Sequence, residues 1–200
     1  MIQYGLLIVL AGLGGGFSVA HGTTAEGVWR QVMANVKIQF SVYKGITTMA
    51  YWLMKSEPDT FSLDDLRSRP DSTEHWDGVR NYQARNMMRD QMKRGDKVFF
   101  YHSSCPVPGI AGIAKVVREA YPDGSAQNPE SRYYDPKASA ENPRWFMVDV
   151  KFERKFKRLL PLSELKAEPA LAEMTLLKKG NRLSIMPVSE DEWQQILSMV

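Results

Sequence analysis

The chain has 200 residues, of which 44% are apolar and 24% are charged, ordinary proportions for a folded globular protein. Disordered, collagen-like and coiled-coil proteins are therefore excluded, and a single cysteine, Cys105, excludes an intrachain disulfide. Three of the 26 basic residues and one of the 23 acidic residues lie in residues 1–48, which leaves 23 basic and 22 acidic residues in 49–200. A body with so little net charge is no general polyanion binder, so any contact with nucleic acid requires a local patch.

Residues 1–48 differ in composition from the rest of the chain. Residues 4–20 are uncharged and contain five glycines, so this stretch is too short and too rich in glycine for a good transmembrane helix. A signal peptide cleaved after Ala20 is one interpretation, but no basic residue precedes its apolar core. We favour a start of translation at Met49. On that interpretation residues 1–48 are a non-conforming leader, residues 49–200 form the domain, and the protein is cytoplasmic.

The first half of the domain shows clear element signals. The apolar run 51–54 predicts a buried strand. Ser62 opens a pattern resembling a capping box, which predicts a short helix. Asn81 predicts the cap of a second helix that runs to about residue 92. Residues 97–102 and 109–117 predict two strands joined by a short loop.

The second half begins with a long connection over about residues 121–142, and loops of that length are usually functional or mobile. Alternating apolar residues predict a strand over 145–156. A short helix at 162–165, a short strand at 183–187 and a last helix opened by Ser189 follow. Short strands separated by small helices favour a compact α+β barrel over a βαβ sheet.

Several kinds of chemistry are absent from the sequence. It contains no phosphate-binding loop, no dinucleotide fingerprint and no nucleophile elbow. The three histidines are too scattered for a metal site. Cys105 follows His102 by three residues, but we interpret this cysteine as a structural thiol rather than a nucleophile. We therefore expect no catalysis, no metal and no cofactor.

Three segments carry more polar and aromatic residues than packing alone requires, namely 52–58, 75–86 and 99–103. A planar ligand such as a nucleobase needs aromatic faces for stacking and polar groups for its edge. These segments supply aromatic rings, polar groups and cations for such a ligand: Trp76, Tyr82 and Tyr101; Ser56, Asn81, Gln83 and Ser103; and Lys55, Arg80 and Arg85.

Each candidate also has a structural interpretation. Trp52 lies inside an apolar run and is expected in the core, whereas Trp76 fits a core and a pocket wall equally well. Asn81 fits a simple helix cap and Arg85 a surface ion pair. Tyr101 fits the core. Spacing alone therefore predicts a polar-aromatic pocket and leaves its exact members open.

The same segments resemble the EVE domain family. The resemblance covers residues 50–199 in order and rests on eight motifs: WLMKSEP at 52–58, WDGVRNYQARN at 76–86, GD at 95–96, YHS at 101–103, GIAGIA at 109–114, YYDP at 133–136, RW at 144–145 and RLSIMP at 182–187. It implies an α+β, PUA-like fold: a small mixed β-barrel with inserted and flanking helices, related to YTH and ASCH domains.

The resemblance also implies a non-enzymatic module that recognises a modified or flipped base in DNA or RNA. In the expected site Trp76 and Tyr101 stack on the base or form its wall, and Tyr82 is a further base-binding residue. The polar edge of the base meets Ser56, Asn81 and Ser103. The nucleic-acid backbone meets Lys55, Arg85 and Arg182. The basic stretch 151–158 either adds phosphate contacts or protects an edge strand by its charge.

Two other functions stay open at this point. One is a binder or hydrolase of a small molecule such as a nucleotide metabolite, using the same pocket, and the other is a groove for a protein tail. For residues 49–200 we expect no membrane association and no obligate protein partner. Salt dependence separates a nucleic-acid reader from a metabolite binder, because each phosphate contact steepens it.

Overall fold

The computed structural model describes residues 49–200. The predictions for residues 1–48, namely the leader, the signal-like segment and the start at Met49, lie outside the described residues. Within 49–200 the chain forms six strands and four α-helices: β1 (Tyr51–Ser56), α1 (Leu63–Ser68), β2 (Thr73–His75), α2 (Tyr82–Asp90), β3 (Lys97–His102), β4 (Gly109–Pro122), β5 (Phe146–Pro161), α3 (Leu162–Ala167), β6 (Ile185–Val188) and α4 (Glu190–Ser198).

The strands form one sheet in the order β2-β5-β4-β3-β1-β6. β1 and β3 are parallel neighbours, whereas the other neighbouring pairs are antiparallel. Parallel neighbours end at the same edge of a sheet, and Ser56 at the end of β1 accordingly lies opposite His102 at the end of β3. This edge positions the site described below.

Apolar side chains cover both faces of the sheet. In β3, Val98 and Phe100 pack with α1 and α2, whereas Phe99 and Tyr101 pack with α3 and α4. A strand buried on both faces reads as a continuous apolar run, which is the pattern of residues 98–101. The core therefore consists of two layers, one on each side of the sheet.

The predicted α+β class is confirmed, but the predicted barrel is wrong because the sheet is open. The edge strands β2 and β6 have only three and four residues, and within 49–200 they do not pair with each other. Closing a barrel requires its edge strands to meet. Here helices pack on both faces, so neither face becomes an enclosed interior.

The helix starts follow the predicted caps. Ser62 and Ser189 both form complete capping boxes, and the Asn81 side chain accepts a hydrogen bond from the amide of Ala84. Helix α2 ends at Asp90, two residues earlier than predicted. Strands β4 and β5 extend beyond their predicted ends, because they pair with each other as far as Pro122 with Phe146 at one end and Gly109 with Pro161 at the other.

A buried carboxylate fixes the start of the domain to the turn before β3. Asp96 is 2% exposed and accepts hydrogen bonds from the amide of Ala50 (3.0 Å), the indole Nε1 of Trp52 (2.9 Å) and the amide of Lys93 (2.9 Å). Trp52 is thus a core residue. Each donor would be left without a partner if the carboxylate were removed.

We expect Asp96→Ala to lower the free energy of unfolding by about 3 kcal/mol or more, since a buried donor left unpaired costs about 1–3 kcal/mol. Urea denaturation followed by tryptophan fluorescence measures this change. Asp59 is exposed and serves as the matched control, with Asp59→Ala expected within about 0.5 kcal/mol of the parent protein. Equal stabilities of the two variants would contradict the anchoring role of Asp96.

Candidate functional site

A cavity of about 840 Å³ opens where the parallel strands β1 and β3 end. Its walls come from five segments of the chain: residues 55–61, 74–81, 103–104, 132–133 and 182–184, with Arg69 at the margin. Ligand sites commonly lie at the carboxyl ends of parallel strands, where the loops that leave the sheet converge.

Trp76 contributes an aromatic wall and is also part of the core. Its side chain lies edge-on to Phe100 (5.3 Å between ring centroids) and to Phe61 (6.5 Å). Only 8% of Trp76 is exposed, and its amide donates to the carbonyl of Val148 at 2.8 Å. The two interpretations of this residue therefore combine, because one ring serves both packing and the pocket.

The ends of β1 and β3 place two hydroxyl groups at the cavity, which Lys55 also lines. The Ser56 hydroxyl donates to the carbonyl of Phe61 at 2.7 Å, and the Ser103 hydroxyl donates to the carbonyl of Ser56 at 3.3 Å. Burial lowers the pKa of Lys55, whose Nζ lies 5.9 Å from the centroid of the Tyr101 ring and has no hydrogen-bond or ion-pair partner within residues 49–200. An anion would compensate for this loss of solvent.

Asn81 and Arg182 complete the predicted residues that line the cavity. The Asn81 carbonyl oxygen caps α2 by accepting from the amide of Ala84 at 3.0 Å. That bond fixes the orientation of the side-chain amide and leaves its NH₂ group free of a partner within residues 49–200. Arg182 is exposed beside Ser184, whose carbonyl accepts from the amide of Lys55.

A buried ion pair holds the cavity wall in place. Asp123 is 1% exposed and accepts from the guanidinium of Arg80 (2.7 Å), the amide of Gly78 (3.0 Å) and the hydroxyl of Ser125 (2.6 Å). Burial acts to raise the pKa of Asp123, but hydrogen bonds from Arg80 and Ser125 hold it below its usual value. Arg80 also donates to the carbonyl of Tyr133. Its donors are thus engaged within the protein rather than free for a phosphate.

Gly78 lies directly against the ring of Tyr133. Its φ angle is +74°, and a Cβ placed there would lie 2.6 Å from two carbon atoms of that ring. A side chain at position 78 would therefore be strained in its backbone and would displace the ring. Glycine allows the 74–81 segment and the long loop to meet at the cavity.

Tyr82, Arg85 and Tyr101 do not line the cavity. Tyr82 is 47% exposed and stacks on Trp145 at 4.8 Å. The Arg85 guanidinium lies 5.0 Å from the Tyr82 ring and donates to the carbonyl of Arg144. Tyr101 is 3% exposed in the core on the other face of the sheet, where burial raises its pKa to about 12.

The basic stretch 151–158 also lies outside the cavity, and three of its cations form ion pairs. The pairs are Lys151 with Asp71 (2.6 Å), Lys155 with Asp64 (2.6 Å) and Arg158 with Glu164 (2.8 Å). Exposed pairs of this kind contribute little to stability. They do, however, reduce the charge available to a phosphate.

Groups with catalytic potential are engaged elsewhere. The His102 Nε2 accepts from the amide of Leu63 at 3.2 Å, and burial lowers the pKa of His102. The Cys105 thiol lies 3.4 Å from the carbonyl of Val107. Within 49–200 no three His, Cys, Asp or Glu side chains are arranged to hold a metal ion. None of the helices in this range has the length and apolar character of a membrane span.

Sequence reasoning did not single out several residues that shape this site. Asp77 and Tyr133 lie in the motifs of the family resemblance, so that resemblance was the available signal. Phe61 lines the cavity without any sequence signal, and Asp123 forms its ion pair across 43 residues of chain. Local spacing does not reveal pairs so far apart.

The fold and site define a small α+β domain with a polar-aromatic pocket at the end of two parallel strands. The model of the EVE domain family matches residues 50–199. The chain therefore belongs to the EVE domain family, as the sequence resemblance predicted. The match leaves residues 1–48 outside the family region.

Similar proteins occur in animals and bacteria. Human thymocyte nuclear protein 1 is 45% identical over 166 residues, covering 75% of this chain and 73% of its own length. A crystal structure of a Pseudomonas syringae protein has a TM-score of 0.72 and 53% identity, covering 75% of this chain and 99% of that one. The structure of human THYN1 protein in complex with 5-methylcytosine-containing DNA has a TM-score of 0.72 and 46% identity, covering 75% and 96%.

We expect Gly78→Ala to lower the free energy of unfolding by about 2 kcal/mol or more, because a left-handed backbone costs about 1–2 kcal/mol and overpacking adds to it. Gly180→Ala separates these effects, since φ is +79° there and no atom lies within 4 Å of the added Cβ. Gly124→Ala has neither the positive φ nor a close atom. Urea denaturation should give the largest loss for position 78 and no loss for 124. Equal losses at 78 and 180 would show that contact with Tyr133 is unimportant.

Proposed function

We propose that this protein binds nucleic acid that carries a modified base, and that the base, turned out of its stack, enters the cavity at the ends of β1 and β3. Trp76 forms an aromatic wall for the base. The polar groups of Ser56, Asn81 and Ser103 meet its edge, and Lys55 and Arg182 meet the phosphate backbone.

The observation that carries this proposal is the composition of one cavity. A volume of about 840 Å³ is within the range of small-molecule sites, which is about 300–1,000 Å³. Trp76 supplies an aromatic surface, while polar side chains surround it. Proteins that read a flipped base combine aromatic or apolar contacts to its faces with hydrogen bonds to its polar edge.

The relatives support the same function. The structure of human THYN1 protein, which matches 75% of this chain, is a complex with DNA containing 5-methylcytosine. Sequence identity of 46% over that region makes a shared ligand class a reasonable basis for the proposal. DNA is accordingly the first nucleic acid to test, with RNA of the same sequence as the comparison.

Recognition without turnover is part of the proposal. A catalytic site needs a nucleophile or general base oriented by a second group. His102 instead accepts from the backbone of Leu63, and the Cys105 thiol faces a carbonyl. We expect a modified oligonucleotide to be recovered chemically unchanged after incubation.

Localisation in the cytoplasm also stays a prediction, since the curated animal relatives are named as nuclear proteins.

The direct test measures binding of this protein to matched duplexes that differ only in one 5-methylcytosine. We expect tighter binding to the modified duplex, because capture of the base adds contacts that phosphate attraction does not supply. The measurement is fluorescence anisotropy at several salt concentrations, repeated with other modified bases. Equal affinity for every modified and unmodified duplex would overturn the proposed function.

We expect Trp76→Leu to weaken binding of the modified duplex by roughly 5- to 150-fold, since stacking on an aromatic ring contributes about 1–3 kcal/mol per base. Trp193 is the matched control, because it is 4% exposed and stacks on Phe99 on the other face of the sheet. Trp76→Leu and Trp193→Leu should both lower the free energy of unfolding. Only Trp76→Leu should lower the affinity of the folded protein for the modified duplex. Similar affinities of the two variants would remove Trp76 from the pocket.

We expect Lys55→Gln to reduce the dependence of log affinity on log salt by about 0.9 for each phosphate that the lysine neutralises in the parent protein. Lys166 is the charge-matched control, since it is exposed on α3 and does not line the cavity. The Lys166→Gln variant should keep the slope of the parent protein. An unchanged slope for Lys55→Gln would place the phosphate-binding groups elsewhere.

A further inference from the structure

One acidic side chain in the cavity lacks a donor from another residue. Asp77 lines the cavity, is partly buried, and within residues 49–200 its carboxylate accepts no hydrogen bond from another residue. Burial, followed by the nearby charge of Asp123, raises the pKa of Asp77. A carboxylate that has lost water without gaining donors becomes more stable when a ligand brings an N–H group.

The other acidic side chains of this region are engaged or exposed. Glu74 forms an ion pair with Arg69 (2.8 Å), and its carboxylate also lies 2.6 Å from Nδ1 of His75. Asp123 is saturated by the donors described above, and Glu57 is exposed to solvent. Asp77 is thus the acceptor best placed to meet a donor on a ligand.

The cavity also offers hydrogen-bond donors. The NH₂ group of Asn81, which lines the cavity, has no hydrogen-bond acceptor within residues 49–200. A ligand edge that matches Asp77 and Asn81 carries a donor for the carboxylate and an acceptor for the amide. Cytosine has such an edge, because its exocyclic amino group donates while N3 and O2 accept. Thymine places a carbonyl oxygen where cytosine has the amino group.

We infer that the Asp77 carboxylate accepts a hydrogen bond from the exocyclic amino group of the captured base, and that it thereby selects modified cytosine over thymine. The inference rests on the proposed function and adds the chemical class of base that the cavity takes. Adenine shares the amino group, so the carboxylate acts against keto bases rather than against every other base. A buried acceptor facing a carbonyl oxygen would stay unpaired, which is the basis of the discrimination.

5-Methylcytosine and thymine provide a matched pair of ligands, because both carry a 5-methyl group and they differ in the amino and carbonyl groups. Each is placed opposite an abasic site in the same duplex, so that neither base must break a pair before it leaves the stack. We expect the parent protein to bind the 5-methylcytosine duplex roughly 5- to 150-fold more tightly, the range for one well-made base contact.

Asp77→Asn is the informative variant, because an amide can present its NH₂ group to the carbonyl of thymine. We expect the ratio of the affinity for the 5-methylcytosine duplex to that for the thymine duplex to fall towards one, or the preference to reverse. Removing a negative charge also strengthens binding to any phosphate backbone, so Asp191→Asn, at an exposed position of α4 outside the cavity, is the charge-matched control and should keep the preference. Thermal melting of both variants establishes that the fold is retained.

The outcomes separate the inference from the proposed function. If the parent protein binds 5-methylcytosine and thymine equally but prefers both to unmodified cytosine, the role of Asp77 is overturned and base capture stands. If Asp77→Asn keeps the full preference, the role of Asp77 is likewise overturned. If the parent protein shows no preference for any modified duplex, the proposed function and this inference both fail. The comparison of ligands on the parent protein needs no variant to fold.

Discussion

The ion pair between Arg80 and Asp123 is the interaction on which the pocket depends. It joins the segment before α2 to the start of the long loop, and Arg80 extends the connection to the carbonyl of Tyr133. A buried ion pair contributes little net stability, because loss of solvation offsets its attraction, but losing one partner is costly. The pair is therefore best understood as a positional constraint. With it in place, Gly78 and the Tyr133 ring form one continuous wall.

The parallel pairing of β1 with β3 supplies the other half of the site. Because both strands end at one edge, the Ser103 amide and hydroxyl reach the carbonyl of Ser56, and Lys55 lies beside them. These bonds hold the hydroxyl oxygens without using all of their accepting capacity. The mixed sheet thus brings residues that are far apart in sequence to a single edge, although most of its neighbouring strands are antiparallel.

Local features of the fold were predictable, whereas long-range pairing was not. The cap at Ser62 depends on residues within one helical turn, so spacing alone predicts it. Tyr101 shows the limit, because β3 is apolar on both faces and alternation does not tell which face meets the pocket. The contact of Arg80 with Asp123 has no local signal in the sequence. The edge strands β2 and β6 are too short to give a clear alternating pattern, so the sequence did not show that the sheet is open. The family resemblance supplied the parts of the pocket that periodicity did not.

Charge balance restricts how this domain can gain affinity for nucleic acid. Residues 49–200 carry 23 basic and 22 acidic side chains, and Arg69 and Arg80 at the cavity are already paired with Glu74 and Asp123. Few cations at the cavity then remain for phosphates, so attraction to the backbone is weak and depends only shallowly on salt concentration. Most of the selective free energy must then come from the captured base. A wall such as Trp76, fixed by packing against the core, suits this task because it loses little conformational entropy on binding.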